Sequence, residues 1–210
     1  IWTAKKRYIL NVWNSEGVQY SEPKLKVMGI EAVKSSTPAP CRQMIKDGLK
    51  LMMNGTEEDV IEFIDKCRVE FKALPPEQIA FPRTVSDVRK YHSHSSIYSK
   101  GTPIHARGAL LFNHYIKDKK LTNKYSLIAN GEKIKFLYLK KPNIIQENVI
   151  SFIQDFPHEL GLDKYIDYDL QFEKSFVEPL KAILDAIGWN VEKTVNLELF
   201  FAWWICLLTT

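Results

Sequence analysis

Lys5-Lys6-Arg7-Tyr8-Ile9-Leu10-Asn11-Val12-Trp13 is the stretch whose reading decides the fold. Its β-branched and aromatic content favours a strand from Arg7 onward, and the two-residue period of a strand sends Lys6, Tyr8, Leu10 and Val12 to one face. On this reading Lys6 stands beside Tyr8. Asn14-Ser15-Glu16-Gly17 supplies a turn, Val18-Gln19-Tyr20 a short return strand, and Pro23 a break before Lys24-Leu25-Lys26-Val27-Met28 alternates again with both lysines on one face. Two readings are open for this surface. It is a solvated edge blunted by lysines, or it meets an anionic polymer, with a cation on a backbone phosphate and an aromatic ring against a sugar or base edge.

Working outward, the period changes after Thr37-Pro38. Thr37 is the expected N-cap of a helix with Pro38 in its first turn, and Met44, Ile45, Gly48, Leu49 and Met52 fall at helical spacing before Asn54-Gly55. A second helix follows, with Thr56 and Asp59 as a capping box and Val60, Phe63, Ile64, Cys67 and Phe71 as its buried stripe. Lys34, Ser35 and Ser36, just ahead of a helix N-terminus, suit a phosphate. Pro75-Pro76 and Pro82 predict loops. Ile104 to Ile116 reads as a helix ending in a basic run. Arg107, beside Gly108, carries a planar fork that matches a phosphate.

Asn130-Gly131, between 125–128 and 134–139, predicts a two-residue hairpin. A long helix is expected from about residue 165 to 187, with Ile166, Leu170, Phe176, Leu180, Ile183 and Leu184 inward and an end or kink at Pro179. Lys174 and Lys181 lie on its polar side. His92, His94, His105 and His114 are irregularly spaced with no converging carboxylate, so they read as ordinary histidines rather than metal ligands.

The chain has 210 residues, 45% of them hydrophobic, enough for a packed core, and a formal charge of +4. That charge is too mild to bind an anion unless it is clustered. Cys41, Cys67 and Cys206 are widely spaced, without Cys-x-x-Cys, which argues against a zinc site and fits a reducing compartment with free thiols. No apolar run approaches the roughly 18 residues of a membrane span. The first residue is Ile1 rather than Met, and a small set of opening strands needs a partner face, so the chain reads as the tail of something longer.

The opening stretch, followed by Glu22-Pro23-Lys24-Leu25-Lys26-Val27-Met28-Gly29-Ile30-Glu31 and Lys34-Ser35-Ser36-Thr37-Pro38, resembles the end of the palm domain in family B DNA polymerases of T-even-type phages. Pro103-Ile104-His105-Ala106-Arg107-Gly108, Gly131-Glu132-Lys133-Ile134 and the run from Asp167-Tyr168 through Glu173-Lys174-Ser175-Phe176 to Pro179-Leu180 resemble the thumb of the same enzymes.

The resemblance implies an α+β chain in three parts. Residues 1–34 are the last palm strands with a Lys-x-Tyr primer-grip motif, residues 35–195 a mainly helical thumb with a small β-hairpin subdomain, and residues 196–210 a sliding-clamp docking tail with an atypical extension. It implies DNA contacts at Lys5, Lys6, Tyr8, Lys24, Lys34, Ser36, Thr37, His105, Arg107 and Lys174, and clamp contacts at Leu197, Phe200 and Phe201. The implied function is that of a C-terminal fragment or subunit of a replicative DNA-directed DNA polymerase. Its implied partners are primer-template DNA, the sliding clamp and the N-terminal exonuclease, palm and fingers portion, in the cytoplasm of an infected host cell.

Mg2+ would serve the complete polymerase, with no cofactor held by this chain. The family's metal-binding aspartate motifs have no counterpart here, and Asp167 and Asp169 flank a tyrosine in helical surroundings, so the chain is expected to be inactive alone. Two other readings stand beside this one: a stand-alone nucleic-acid-binding or interaction module, and a small metal-dependent hydrolase built on the histidines.

Overall fold

A computed structural model describes residues 1–86, 88–91 and 97–192, excepting the side chains of Thr3, Val88 and Arg89. Its elements make an α+β chain with two separate antiparallel sheets, each of three strands. The first sheet is β1 (Trp2–Ala4), β2 (Arg7–Ser15) and β3 (Val18–Met28), in that order. The sequence missed β1 and split β3 in two. Pro23 does not end β3, because the ladder is already interrupted there. Val12 pairs with Lys24 and Asn14 with Gln19, so the proline falls in the irregular stretch where its missing N–H has no partner to satisfy. Glu16 and Gly17, both at positive φ, close the β2–β3 hairpin.

Lys6 also differs from expectation. It lies in the turn between β1 and β2 with φ 64°, not on the strand face beside Tyr8. The turn seats its carbonyl against Gly29, where a Cβ would stand 2.2 Å from that oxygen. Only glycine at 29 permits the approach.

The helical hairpin forms as its pattern demands. Helix α1 (Ala39–Asn54) buries Cys41, Ile45, Gly48, Leu49 and Met52. Helix α2 (Glu57–Lys72) starts at the expected capping box, Thr56 accepting from the Asp59 amide while the Asp59 carboxylate accepts from Thr56 N–H at 2.9 Å. The cap of α1 is a correction: Pro38 occupies the N-cap position with no side-chain hydrogen bond, and Thr37 is buried one residue outside.

Pro75 and Pro76 open a short helix α3 (Pro76–Ile79) rather than a loop, and Pro82 sits in strand β4 (Phe81–Thr84). Strand β4 is an edge strand of the second sheet, where a proline is tolerated. The expected hairpin around Asn130-Gly131 does not form. Strand β5 (Lys133–Tyr138) instead pairs with β4 on one side and β6 (Val149–Phe152) on the other, while Gly131 N–H donates to the Val85 carbonyl at 2.7 Å. The NG turn thus leads into β5 from a neighbouring loop. Helix α4 (Ile104–Asp118) packs on β6 at Gly108, where a Cβ would lie 2.5 Å from Ser151 Oγ. The missing side chain is what lets helix and strand meet.

The expected long C-terminal helix is three pieces: α5 (Tyr168–Phe172), a π-helical turn (Glu173–Val177) and α6 (Glu178–Leu184). Pro179 cannot donate to the Ser175 carbonyl and its ring crowds that position; the chain widens into a π turn just ahead of it instead of breaking. The extra residue shifts the inward stripe. Leu170, expected inside, is 37% exposed, and Gln171, Phe172, Ser175, Phe176 and Val177 are buried. Gln171 ties this segment to the second sheet, accepting from Tyr138 N–H at 3.2 Å and donating to the Ile79 carbonyl at 2.8 Å.

Candidate nucleic-acid interface

The first sheet has two unlike faces. Ile9 is fully buried, with Leu25 and Val27 packed beside it on the core. The register puts Tyr8, Leu10 and Val12 opposite Met28, Lys26 and Lys24 on the outer face. Trp2 extends this face by pairing with Tyr8, its ring centroid 5.4 Å from the tyrosine's. Tyr8 and Lys24 therefore share a face, although the Lys24 ammonium lies 4.0 Å over the Tyr20 ring. Lys5 and Lys6 are exposed in the β1–β2 turn at the end of this sheet.

Beyond the first sheet, cations expected to meet DNA are engaged within the chain. Lys34 forms a 2.5 Å ion pair with Glu31. Lys174 pairs with Glu178 one helical turn on, the position where a basic residue would have strengthened this face. Arg107 is turned inward: it donates to Asn148 Oδ1 at 2.7 Å, and its Nε is buried without a hydrogen-bond partner. Asp167 and Asp169 are structural. Asp167 caps α5 through the Leu170 amide, and Asp169 bridges Lys72 at 2.7 Å and Lys140 at 3.7 Å.

His105, at the start of α4, is half-buried with its ring 6.2 Å from that of Phe136. Burial first, and then the Arg83 cation, hold its imidazole below the ordinary value and so favour the neutral ring. Ser151 Oγ donates to the His105 carbonyl at 2.9 Å and fixes this turn. Tyr138, on the same sheet, feels both Lys174 and Arg83, but burial dominates and raises its phenol.

Arg83 is therefore a centre that the sequence did not disclose. Its Nη1 donates to the carbonyls of Ser36, at 3.0 Å, and Pro82, at 3.1 Å, so the guanidinium is positioned by backbone and keeps its charge. Beside it Ser35, Ser36, Thr84 and Lys133 line an open cleft of about 330 Å³. Among the described residues Arg42, Arg83, Lys133 and Lys135 pair with no carboxylate. The signal for two of them was present, since Lys-Ile-Lys in a strand puts both lysines on one face. Arg83 was hidden because Pro82 made its segment look like a loop.

Among the described residues no group of three or more His, Cys, Asp or Glu side chains converges on a metal position. His92 and His94 lie outside the described residues, as do Leu197, Phe200 and Phe201. No described helix is long and apolar enough to cross a membrane.

Fold and surface together define an α+β chain in which Arg42, Arg83, Lys133 and Lys135, four cations with no carboxylate partner among the described residues, line neighbouring clefts between the start of α1 and the second sheet. Over 204 residues, 95% of this chain, it is 30% identical to the DNA-directed DNA polymerase of Enterobacteria phage T4. It is 34% identical over 201 residues, 93% of the chain, to the DNA-directed DNA polymerase of Escherichia phage RB69. The chain spans 22% of the length of each. No family model matches. The resemblance to the DNA polymerases of T-even-type phages thus holds along nearly the whole chain, consistent with a C-terminal part of such an enzyme.

Proposed function

We propose that this chain is the C-terminal part of a replicative DNA polymerase, in which it grips the primer-template duplex behind the site of synthesis. The observation that carries the proposal is Arg83, held by two backbone carbonyls and left without a carboxylate, next to Lys133, Ser35 and Ser36. Such a cation meets phosphates without reading sequence. Tyr8 with Lys5, Lys6 and Lys24 would add a primer-side contact from the first sheet.

Asp167 and Asp169 are engaged in a helix cap and in an ion pair, which supports placing the magnesium-holding carboxylates in the rest of the polymerase. Nucleotide transfer would require the N-terminal exonuclease, palm and fingers portion, the partner for the open face of the first sheet. The place of work would be the cytoplasm of the infected host cell.

Fluorescence anisotropy of the full chain with primer-template duplex over a salt series tests this reading. If about four phosphates are engaged, log affinity falls against log salt with a slope of roughly −3 to −4, and Arg83→Gln makes it shallower by about one. An affinity indifferent to salt, or one confined to a particular sequence, contradicts it.

The tail adds a second proposed contact. Leu197, Phe200 and Phe201 carry an aliphatic anchor and paired aromatics suited to a groove on a sliding clamp. A peptide of residues 195–202 is expected to bind the clamp with micromolar affinity in calorimetry. Undiminished binding by the Phe200→Ala and Phe201→Ala peptides would refute the assignment.

A further inference from the structure

The cleft at Arg83 shares a wall with a second, larger one. Ser35 and Pro82 line both, and beyond them the second cleft, about 530 Å³, is walled by Thr37, the first residues of α1, Arg42, Gln78 and Lys135. Its two cations likewise have no carboxylate within ion-pair distance among the described residues. Lys135 Nζ donates to the Glu77 backbone carbonyl at 3.0 Å, a bond that holds the ammonium without neutralising it. Arg42 has no carboxylate partner among the described residues, and its Nε is out of reach of solvent with no protein acceptor. A buried N–H of this kind calls for an acceptor that the fold does not supply.

One carboxylate, Glu77, also lines the second cleft. It is already engaged, accepting from the Phe156 amide at 2.9 Å, with His158 Nε2 3.9 Å away. The cleft therefore keeps two cations facing one occupied acid.

We propose that the two clefts are consecutive stations for one nucleic-acid strand: the Arg83–Lys133 cleft takes one backbone phosphate and the Arg42–Lys135 cleft takes its neighbour, with Ser35 on the ridge between them. This rests on the duplex-gripping reading and deepens it, because it assigns a strand path rather than a diffuse basic surface. The shared wall makes the stations adjacent, and adjacent phosphates on one strand are the anions that come at fixed, close spacing. Thr37, buried at the mouth of α1, shapes this cleft in place of capping the helix.

The test is anisotropy of the full chain with primer-template duplex, repeated with duplexes carrying a single neutral methylphosphonate linkage moved one step at a time. Arg42→Gln and Lys135→Gln are each expected to make the salt slope shallower by about one, as Arg83→Gln does. Between 50 and 200 mM salt each variant then loses about three- to four-fold less affinity than the parent. The linkage that silences Arg42→Gln should be next to the one that silences Arg83→Gln.

Thermal melting of both cleft variants separates loss of contact from loss of fold, and Lys135→Gln, which removes a single hydrogen bond, stands in if Arg42→Gln unfolds. If Arg83→Gln weakens binding but Arg42→Gln and Lys135→Gln leave affinity and slope unchanged, the second station is wrong and the duplex grip survives. If none of the three matters, both readings fall. Titration with inorganic phosphate is the control for source: phosphate binding that depends on Arg42, without any Arg42 dependence on duplex, assigns the cleft to a free anion and overturns the strand path.

Discussion

Two antiparallel sheets of three strands each behave differently in this chain. Strand β6 of the second sheet is buried at every position, and β5 is covered by α4 and the C-terminal helical segment. Among the described side chains of the first sheet's strands only Ile9 is buried, while Trp2, Leu10, Trp13, Val18 and Met28 are all exposed, Trp2 by 69%. Both sequences are rich in β-formers, so propensity does not separate them. The difference lies in what covers each sheet: helices of this chain close the second, and nothing described closes the outer face of the first. Trp2, Leu10 and Met28 leave the outer face apolar and open, the kind of surface that suits a partner.

Substitutions can break or sharpen that contrast. Phe152→Ala, in the buried strand and edge-on to Phe156 at 5.6 Å, is expected to cost about 3–5 kcal/mol, measured by urea denaturation. Leu10→Ala on the open face should cost within about 0.5 kcal/mol. Equal losses would mean that the first sheet is covered in solution. Between these two effects, Gln171→Ala strips the acceptor from Tyr138 N–H and the donor from the Ile79 carbonyl, and should cost about 1–3 kcal/mol. A neutral result there would show that the second sheet does not depend on this helical tie.

The smallest effect concerns pH. Burial keeps the His105 imidazole below its ordinary value, so as pH falls the unfolded chain takes up this proton before the folded one does. The contribution of His105 to stability is present above the unfolded value of about 6.5 and is lost as pH falls through the lower folded value. Denaturation midpoints between pH ~7.5 and ~5.5 should drop less for His105→Gln than for the parent. Identical profiles would place the ring in solvent rather than against Phe136.

Much of the helical architecture was legible in the residues. The Thr56 capping box, the stripe Val60, Ile64, Cys67, Phe71 and the start of α4 after Pro103 depend on neighbours within a few positions, and the structure shows each of them. The close approach allowed by Gly108 was also readable, though not its partner Ser151. Of the candidate site, the basic first sheet was visible, but the distribution of charge was not. Lys34 and Lys174 looked available until Glu31 and Glu178 were found beside them.

Alone, the sequence determined the helices with local caps and stripes, the β-formation of the opening stretch, and a resemblance carried by ordered motifs along the chain. Tertiary structure decided the rest, because the outcomes hang on contacts between residues far apart in sequence. Strand β5 ignores the adjacent Asn130-Gly131 hairpin signal and pairs with β4 some fifty positions earlier, since that pairing buries Phe81 against Phe136 at 5.2 Å between ring centroids. Pro179 widens a helix instead of ending it, because Phe172, Phe176 and Leu180 on both sides of it are held in one core. Arg83 becomes the centre of a basic cleft only when the carbonyl of Ser36, 47 positions away, fixes its guanidinium. Local patterns encode how the backbone turns; which uncompensated charges end up side by side is settled only when distant segments pack.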